Sequence, residues 1–99
     1  MAGGGTLIRS FKSKIAEAVL NGQCPKGFPV QIFKVARRKL EALNAAETLH
    51  DLRAPPANRL EALKGDRKGQ HSIRINDQWR VCFRWTDDGP AEVEVVDYH

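Results

Sequence analysis

Residues 70–85, QHSIRINDQWRVCFRW, decide the fold because hydrophobic and polar residues alternate there in two successive runs. The alternation is weaker over residues 70–76 and clear over residues 79–85. In the second run, one face carries the apolar side chains Trp79, Val81, Phe83 and Trp85, and the other carries Arg80, Cys82 and Arg84. A two-residue period is typical of strands with one buried face, so we predict a hairpin that reverses at residues 76–78.

The strand pattern continues on both sides of this hairpin. On the C-terminal side, residues 87–90 (DDGP) predict a turn and residues 91–98 a last strand. On the N-terminal side, residues 59–63 are a short strand candidate, and the charged loop of residues 64–69 (KGDRKG) follows them. The second half of the chain is therefore predicted to be a meander of about four strands.

The first half of the chain has the 3.6-residue period of helices. Residues 12–21 predict a first helix, and the Gly- and Pro-rich residues 22–29 predict a loop. Residues 30–46 predict a stronger second helix. The predicted apolar faces consist of Ile15, Ala18 and Val19 in the first helix and of Ile32, Val35, Ala36, Leu40 and Leu43 in the second. We interpret the basic run of residues 37–39 as a solvated face rather than as a phosphate contact.

The remaining segments complete an α+β pattern. Residues 7–11 are predicted to form a short first strand and residues 48–53 a further turn, and Pro55-Pro56 is expected to end helical structure. Helices followed by hairpin strands indicate an antiparallel-rich sheet of about four to five strands, with the two N-terminal helices packed on one face. We interpret residues 1–6 as a leader and residues 7–99 as a single domain.

Composition narrows the class of protein only a little. The chain has 99 residues and a net charge of +4, which slightly favours polyanionic partners such as nucleic acid. We find no apolar segment with the length of a membrane span or the pattern of a signal peptide. Cys24 and Cys82 lack metal-ligand spacing, so a reduced, cytoplasmic protein is the simplest interpretation.

Cations on the predicted strands and loops are the first candidates for chemistry. They suit a phosphodiester, which gains negative charge during nucleophilic attack. The set consists of Lys64, Arg67, Lys68, Arg74, Arg80 and Arg84. The alternative interpretation is a solvated sheet face whose cations form cross-strand pairs with Glu92 and Glu94.

The C-terminus is the second candidate. Asp97, Tyr98 and His99 place a carboxyl, a phenol and an imidazole at a strand end, and histidine can act as acid or base near neutral pH. The alternative is a terminal histidine that lies in solvent. The sequence contains no nucleotide-binding loop and no pair of histidines at metal-ligand spacing. Both tryptophans are expected to pack in the core rather than to stack on bases.

The motifs LKGDR and INDQWR within residues 58–85, together with the ending EVVDYH, make this chain resemble the HigB-type toxins of the RelE superfamily. It is also similar to the GraT subgroup of these toxins. The resemblance covers nearly all of residues 7–99. It implies a RelE-like fold and a ribosome-dependent endoribonuclease that cuts mRNA in the decoding site. In that reaction the ribose 2′-hydroxyl attacks the adjacent phosphate, and neither a metal nor another cofactor takes part.

The resemblance also implies partners. These are a helix-turn-helix antitoxin similar to HigA, the 70S ribosome and its mRNA. Operator DNA would be bound only through the antitoxin, and no membrane is involved.

The family motifs assign roles to individual residues by resemblance. Lys64 corresponds to a lysine near the phosphate, and Arg80 corresponds to an arginine that steadies the developing charge. At the C-terminus, His99 would transfer protons, Asp97 would orient it or share in the transfer, and Tyr98 would hold the substrate. Further substrate contacts are expected from a set that consists of Arg67, Lys68, Arg74 and His71.

Glu61 departs from the family pattern. Some HigB toxins have a histidine there, two residues before the leucine of LKGD. A carboxylate can act as a base, but it cannot be a cation toward phosphate, so the general base is left open between Glu61 and other groups. His71 either compensates for the missing histidine or is a packed histidine, since it has the parity of Ile73 and Ile75.

The departure at Glu61 also keeps two alternative functions open. One is a non-catalytic inhibitor that binds the ribosome or RNA and blocks translation or ribosome assembly, and the other is a generic partner subunit.

Overall fold

The computed structural model describes residues 7–98, so the predicted leader at residues 1–6 and the candidate residue His99 lie outside the described range. Within that range, two α-helices precede four strands. These are α1 (Lys14–Leu20), α2 (Val30–Ala45), β1 (Glu61–Ala62), β2 (His71–Arg74), β3 (Trp79–Thr86) and β4 (Gly89–Asp97). Three short 3-10 turns lie at Leu49–Arg53, Pro56–Asn58 and Gly65–Arg67. The predicted α+β class is confirmed.

The strands form one antiparallel sheet in the order β1-β2-β3-β4. Ile73, Val81 and Val95 lie opposite one another across the three longer strands, as the alternation at residues 70–85 predicted. The pairing of β3 with β4 shifts between Cys82 and Arg84, which is a bulge in the ladder. The predicted meander is therefore confirmed, with β1 shortened to two residues.

The helices cover one face of this sheet. α1 contacts β4 and α2 contacts β3. The completely buried side chains at this interface include Val19, Leu40, Leu43, Ile73, Val81, Phe83 and Val93. Trp79 and Trp85 pack against the edge of the same cluster, as predicted. Burial of these apolar side chains provides the main stabilisation of the fold.

Two predictions for the N-terminal segment were wrong. Residues 7–11 do not form a strand. One parallel bridge joins Phe11 to Val93, with backbone hydrogen bonds beside it, and the Ser10 hydroxyl accepts a hydrogen bond from the N–H of Glu92. In α1, Ile15 is 42% exposed whereas Ala16 and Val19 are buried. A helix of seven residues is too short for its own periodicity to fix its orientation, so packing against β4 decides which face is buried.

The prediction that Lys39 is solvated was wrong, whereas the helical turn before the proline pair does end, at Arg53. Arg37 and Arg38 are exposed as expected, but Lys39 is only 8% exposed and donates a hydrogen bond to Asn58 Oδ1. The chain forms a 3-10 turn directly after Pro55, because a proline at the first helical position has no N–H that needs a partner. Ala54 and Pro55 are extended, and the separate 3-10 turn Pro56–Asn58 then brings Asn58 under α2.

Asn58 is the centre of a buried polar network. It is 1% exposed, and its Nδ2 donates to the carbonyl oxygens of Leu52 and Ala54, both at 3.1 Å. Its Oδ1 accepts from the ammonium of Lys39, whose pKa is lowered by burial and by the nearby charges of Arg38 and Arg74. This network connects α2 to the segment that enters β1.

We expect Asn58→Ala to lower the free energy of unfolding by about 1–3 kcal/mol, because it leaves buried hydrogen-bonding groups without a partner. Urea unfolding followed by circular dichroism measures the loss. Arg53→Ala, an exposed change in the same segment, serves as control and is expected to stay within about 0.5 kcal/mol of the wild type. Equal losses in the two variants would contradict a central role for Asn58.

Candidate active site

The sheet face that points away from the helices is covered by long side chains of the same sheet and its loops. Ser72 and Cys82 lie opposite each other on β2 and β3, and each alternates with a residue of the helix-side core. Both are 0% exposed. The side chains that lie over them belong to Arg67, Arg80 and Tyr98. Three of the predicted site residues are thus brought together around two small buried ones.

Arg80 is held in place on three sides. Its Nη1 donates to Glu61 Oε1 at 3.0 Å and to Ser72 Oγ at 3.4 Å. Its guanidinium carbon lies 5.5 Å from the centre of the Tyr98 ring, within the range of a cation–π contact. The side chain is nevertheless 20% exposed. Arg80 is therefore a fixed cation that solvent still reaches.

A shallow, open concavity of about 230 Å³ lies beside this arginine. Its lining consists of Arg59, Leu60, Glu61 and Arg80. Arg59 has a left-handed backbone conformation with φ of 46°, and its N–H donates to the carbonyl of Pro56. This conformation follows from the 3-10 turn around buried Asn58.

Sequence reasoning missed both Arg59 and Ser72. Arg59 was only the first residue of a strand candidate, and neither alternation nor spacing marks it. The burial of Asn58, the preceding residue, is what places Arg59. That burial depends on Lys39, which is 19 residues away in sequence. Ser72 has the strand parity of Arg80, and that parity could have placed the two on one face.

Tyr98 and Cys82 form a contact beneath the arginines. The phenol oxygen lies 3.9 Å from Cys82 Sγ. Burial raises the pKa of the Cys82 thiol, and the positive charge of Arg67 offsets only part of this effect. Burial likewise raises the pKa of Tyr98, with Cys82 adding to it and the two arginines opposing it. Both groups are therefore neutral at physiological pH.

Arg67 is occupied by a structural ion pair. Its Nη1 donates to Glu94 Oε2 at 2.9 Å and to Gln70 Oε1 at 3.1 Å, and Lys12 Nζ lies 3.6 Å from the same glutamate oxygen. The hydrogen bond that Arg67 donates to Glu94 raises the pKa of Arg67 above its ordinary value. Because Glu94 is only 15% exposed, this pair ties the turn Gly65–Arg67 to the sheet.

The other candidate cations lie apart from Arg80 or have carboxylate partners. Arg84 pairs with Glu92 at 3.4 Å, and Arg74 pairs with Asp77. The sequence offered pairs with Glu92 and Glu94 as an alternative to phosphate binding. Arg84 forms a cross-strand pair with Glu92, whereas the partner of Glu94 is Arg67 of the turn Gly65–Arg67. Lys64 and Lys68 are exposed, and neither ammonium forms an ion pair within residues 7–98.

Asp97 and His71 lie on the helix side of the sheet, away from Arg80. Asp97 is the register partner of Trp79 and accepts a hydrogen bond from Gln78 Nε2 at 3.0 Å. The His71 ring stacks on Phe83 with 6.2 Å between the ring centres, and its buried Nδ1 has no hydrogen-bond partner among the described residues. His71 thus occupies the position of a packed histidine.

The part of the chain that the structure describes holds no cluster of three or more His, Cys, Asp or Glu side chains suited to a metal ion. No helix within residues 7–98 combines the length and the apolar character that crossing a membrane requires.

Comparison with known proteins assigns the family. A family model described as the RelE-like toxin of type II toxin-antitoxin system HigB matches residues 9–99. Toxin HigB-1 of Vibrio cholerae serotype O1 is 51% identical over 71 residues, which are 72% of this chain and 74% of that protein. Endoribonuclease HigB of Proteus vulgaris is 29% identical over 93 residues, which are 94% of this chain and 100% of that protein. This chain, with its α+β fold and its exposed arginine site, therefore belongs to the HigB-like toxins of type II toxin–antitoxin systems.

Proposed function

We propose that this toxin is an endoribonuclease that cleaves mRNA in the decoding site of the ribosome. The observation that carries the proposal is Arg80, a solvent-accessible cation held by Ser72, Glu61 and the Tyr98 ring at the edge of an open concavity. The similar protein of Proteus vulgaris is named as an endoribonuclease. A shallow site of this kind suits a long, flexible polyanion better than a small molecule that needs enclosure.

The proposed reaction is an internal transesterification. The 2′-oxygen forms a bond to phosphorus while the bond from phosphorus to the 5′-oxygen breaks, which leaves a cyclic phosphate and a free 5′-hydroxyl. Arg80 faces the negative charge that grows on the phosphoryl oxygens, and Lys64 supplies a second cation from its exposed loop. Lys68 and Arg74 contact the RNA backbone nearby, and Arg67 supports the site through its pair with Glu94.

Two proton transfers accompany this step. The 2′-hydroxyl loses a proton to a base, and the 5′-oxygen gains one from an acid. We assign one of these transfers to His99, which follows Tyr98 directly, with Asp97 orienting it or sharing in the transfer. The Glu61 carboxylate is the candidate base beside Arg80. Tyr98 contacts the RNA as a neutral phenol.

The ribosome supplies what this sparse site lacks. It holds the mRNA in a geometry ready for attack. Such orientation lowers the activation free energy by several kcal/mol, as an order of magnitude. The proposed partners are therefore the 70S ribosome with its mRNA, in the cytoplasm, and a helix-turn-helix antitoxin similar to HigA. Operator DNA is bound through that antitoxin, and the reaction needs no cofactor.

A second candidate function is inhibition without cleavage. It is favoured by one observation: Asp97 and Arg80 lie on opposite faces of the sheet, so this proposed acid–base residue is not assembled with the arginine. Such a protein would block translation or ribosome assembly by binding the ribosome or RNA through its cations. The experiment below separates the two functions.

We expect Arg80→Ala to reduce mRNA cleavage on purified ribosomes by about 10²–10³-fold, the usual cost of losing a group that stabilises transition-state charge. Mapping of new mRNA 5′ ends measures cleavage, and sedimentation with ribosomes measures binding. Arg84→Ala is the matched control, because it removes an arginine of the same strand that lies outside the concavity.

New 5′ ends that persist with Arg84→Ala and vanish with Arg80→Ala support the nuclease. Ribosome binding by the wild-type protein with no new ends at all would contradict it and favour inhibition without cleavage.

Because the chain contains one tyrosine, the near-ultraviolet absorbance of tyrosinate reports on Tyr98 alone. We expect its titration midpoint in the folded protein to lie above the ordinary value of 10.0, since burial disfavours the phenolate. The unfolded chain then releases this proton at a lower pH than the folded one, so stability falls as pH rises through the folded pKa. In the protein unfolded by guanidinium, the titration midpoint should return to the ordinary value. A midpoint below the ordinary value in the folded protein would contradict the assignment of Tyr98 as a neutral phenol.

A further inference from the structure

We propose that Glu61 is a displaceable counter-ion, whose carboxylate occupies the place on Arg80 that an RNA phosphate takes, and that Arg59 is the second cation of this anion site. The inference rests on the proposed function for the identity of the anion as an RNA backbone phosphate. It assigns to Glu61 a role in binding that is separate from proton transfer.

The contacts of Arg80 distinguish a fixed partner from a movable one. Ser72 is completely buried and accepts its hydrogen bond from beneath the guanidinium. Glu61 accepts from the same nitrogen, but its side chain is 57% exposed and it belongs to the two-residue edge strand β1. A guanidinium binds carboxylate and phosphate oxygens with the same donor geometry. A phosphate can therefore replace Glu61 while Ser72 keeps Arg80 in place.

The ion pairs on this face differ in how easily they open. The two pairs have similar distances, 2.9 Å for Arg67 with Glu94 and 3.0 Å for Arg80 with Glu61, but Glu94 is only 15% exposed. Water screens the Glu61 carboxylate far more, and exposed pairs of this kind are weak. Glu61 is thus the carboxylate that an incoming anion displaces, whereas Glu94 stays bound to Arg67.

Arg59 gives the concavity an excess of positive charge. It lines the same concavity as Glu61 and Arg80, so the lining carries two guanidinium groups and one carboxylate. Its exposed side chain has no ion pair within residues 7–98. Its backbone is held by the turn around Asn58, which is 1% exposed and bonded to Lys39. The second cation is therefore placed by the fold and is available to a ligand.

A counter-ion of this kind favours RNA that is already positioned. In the free toxin, an anion must compete with Glu61 for Arg80, so loosely held RNA gains little from binding. RNA that the ribosome presents at the concavity competes more effectively, because the ribosome has already restricted its position and orientation. Removal of the carboxylate should therefore strengthen the binding of free RNA.

The test is the affinity of the free toxin for a short single-stranded RNA with 2′-O-methyl riboses, measured by fluorescence anisotropy at low salt. This RNA lacks the attacking hydroxyl, so binding is measured without cleavage. We expect Glu61→Gln to tighten binding by about two- to fivefold, the range for loss of an exposed ion pair. Glu41→Gln is the control, since it removes the same charge from an exposed pair with Arg37 on α2 and should change binding less.

Arg59→Ala should weaken binding of the same RNA by at least about twofold, and more than Arg84→Ala, which removes an arginine outside the concavity. Thermal unfolding verifies that each variant is folded.

The counter-ion role is overturned if Glu61→Gln binds no more tightly than Glu41→Gln, or if neither Glu61→Gln nor the wild type binds measurably. The role of Arg59 is overturned if Arg59→Ala and Arg84→Ala bind equally. Cleavage on ribosomes is a separate measurement, so a negative result in these binding experiments does not contradict the proposed nuclease activity.

Discussion

The whole structure depends on one constraint: two helices are enough to cover only one face of the four-stranded sheet. On the other face, Ser72 and Cys82 are buried all the same, under Arg67, Arg80 and Tyr98. Long side chains can cover apolar surface with their stems while their charged ends remain near water. The candidate site is therefore a consequence of how this sheet completes its burial, and its cations are held firmly because they also serve as cover.

Carboxylates decide which of these cations are available to a ligand. Four arginines on the strands or adjacent turns are paired: Arg67, Arg74, Arg80 and Arg84. The acidic partners differ in exposure, from 15% for Glu94 to 97% for Asp77, and Glu61 in the concavity is 57% exposed. Since solvent screening weakens exposed pairs most, Arg67 acts as a tether whereas Arg80 remains open to exchange. The same residue type thus has a structural role at one position and a proposed binding role at another.

The helix layer and the site are connected by one buried polar contact. Lys39 reaches from α2 to Asn58, which also bonds to the carbonyls of Leu52 and Ala54. A buried ammonium is unfavourable without a hydrogen-bonding partner, so this contact holds the segment before β1 in one conformation. That segment carries Arg59 and leads directly to Glu61. The wall of the concavity is consequently positioned by a residue on the far side of the sheet.

The sequence by itself determined the α+β class, the second helix, the hairpin at residues 70–85 and the packing of both tryptophans against the core, because helical and strand periods are local properties of the chain. The motifs around Lys64 and Arg80 also indicated the family. Only the tertiary structure decided that Lys39 is buried, that Arg59 lines the concavity, and that Asp97 lies on the opposite face from Arg80. The physical reason is that these facts depend on contacts between residues distant in sequence, such as Arg80 with Glu61 and Lys39 with Asn58, each 19 residues apart.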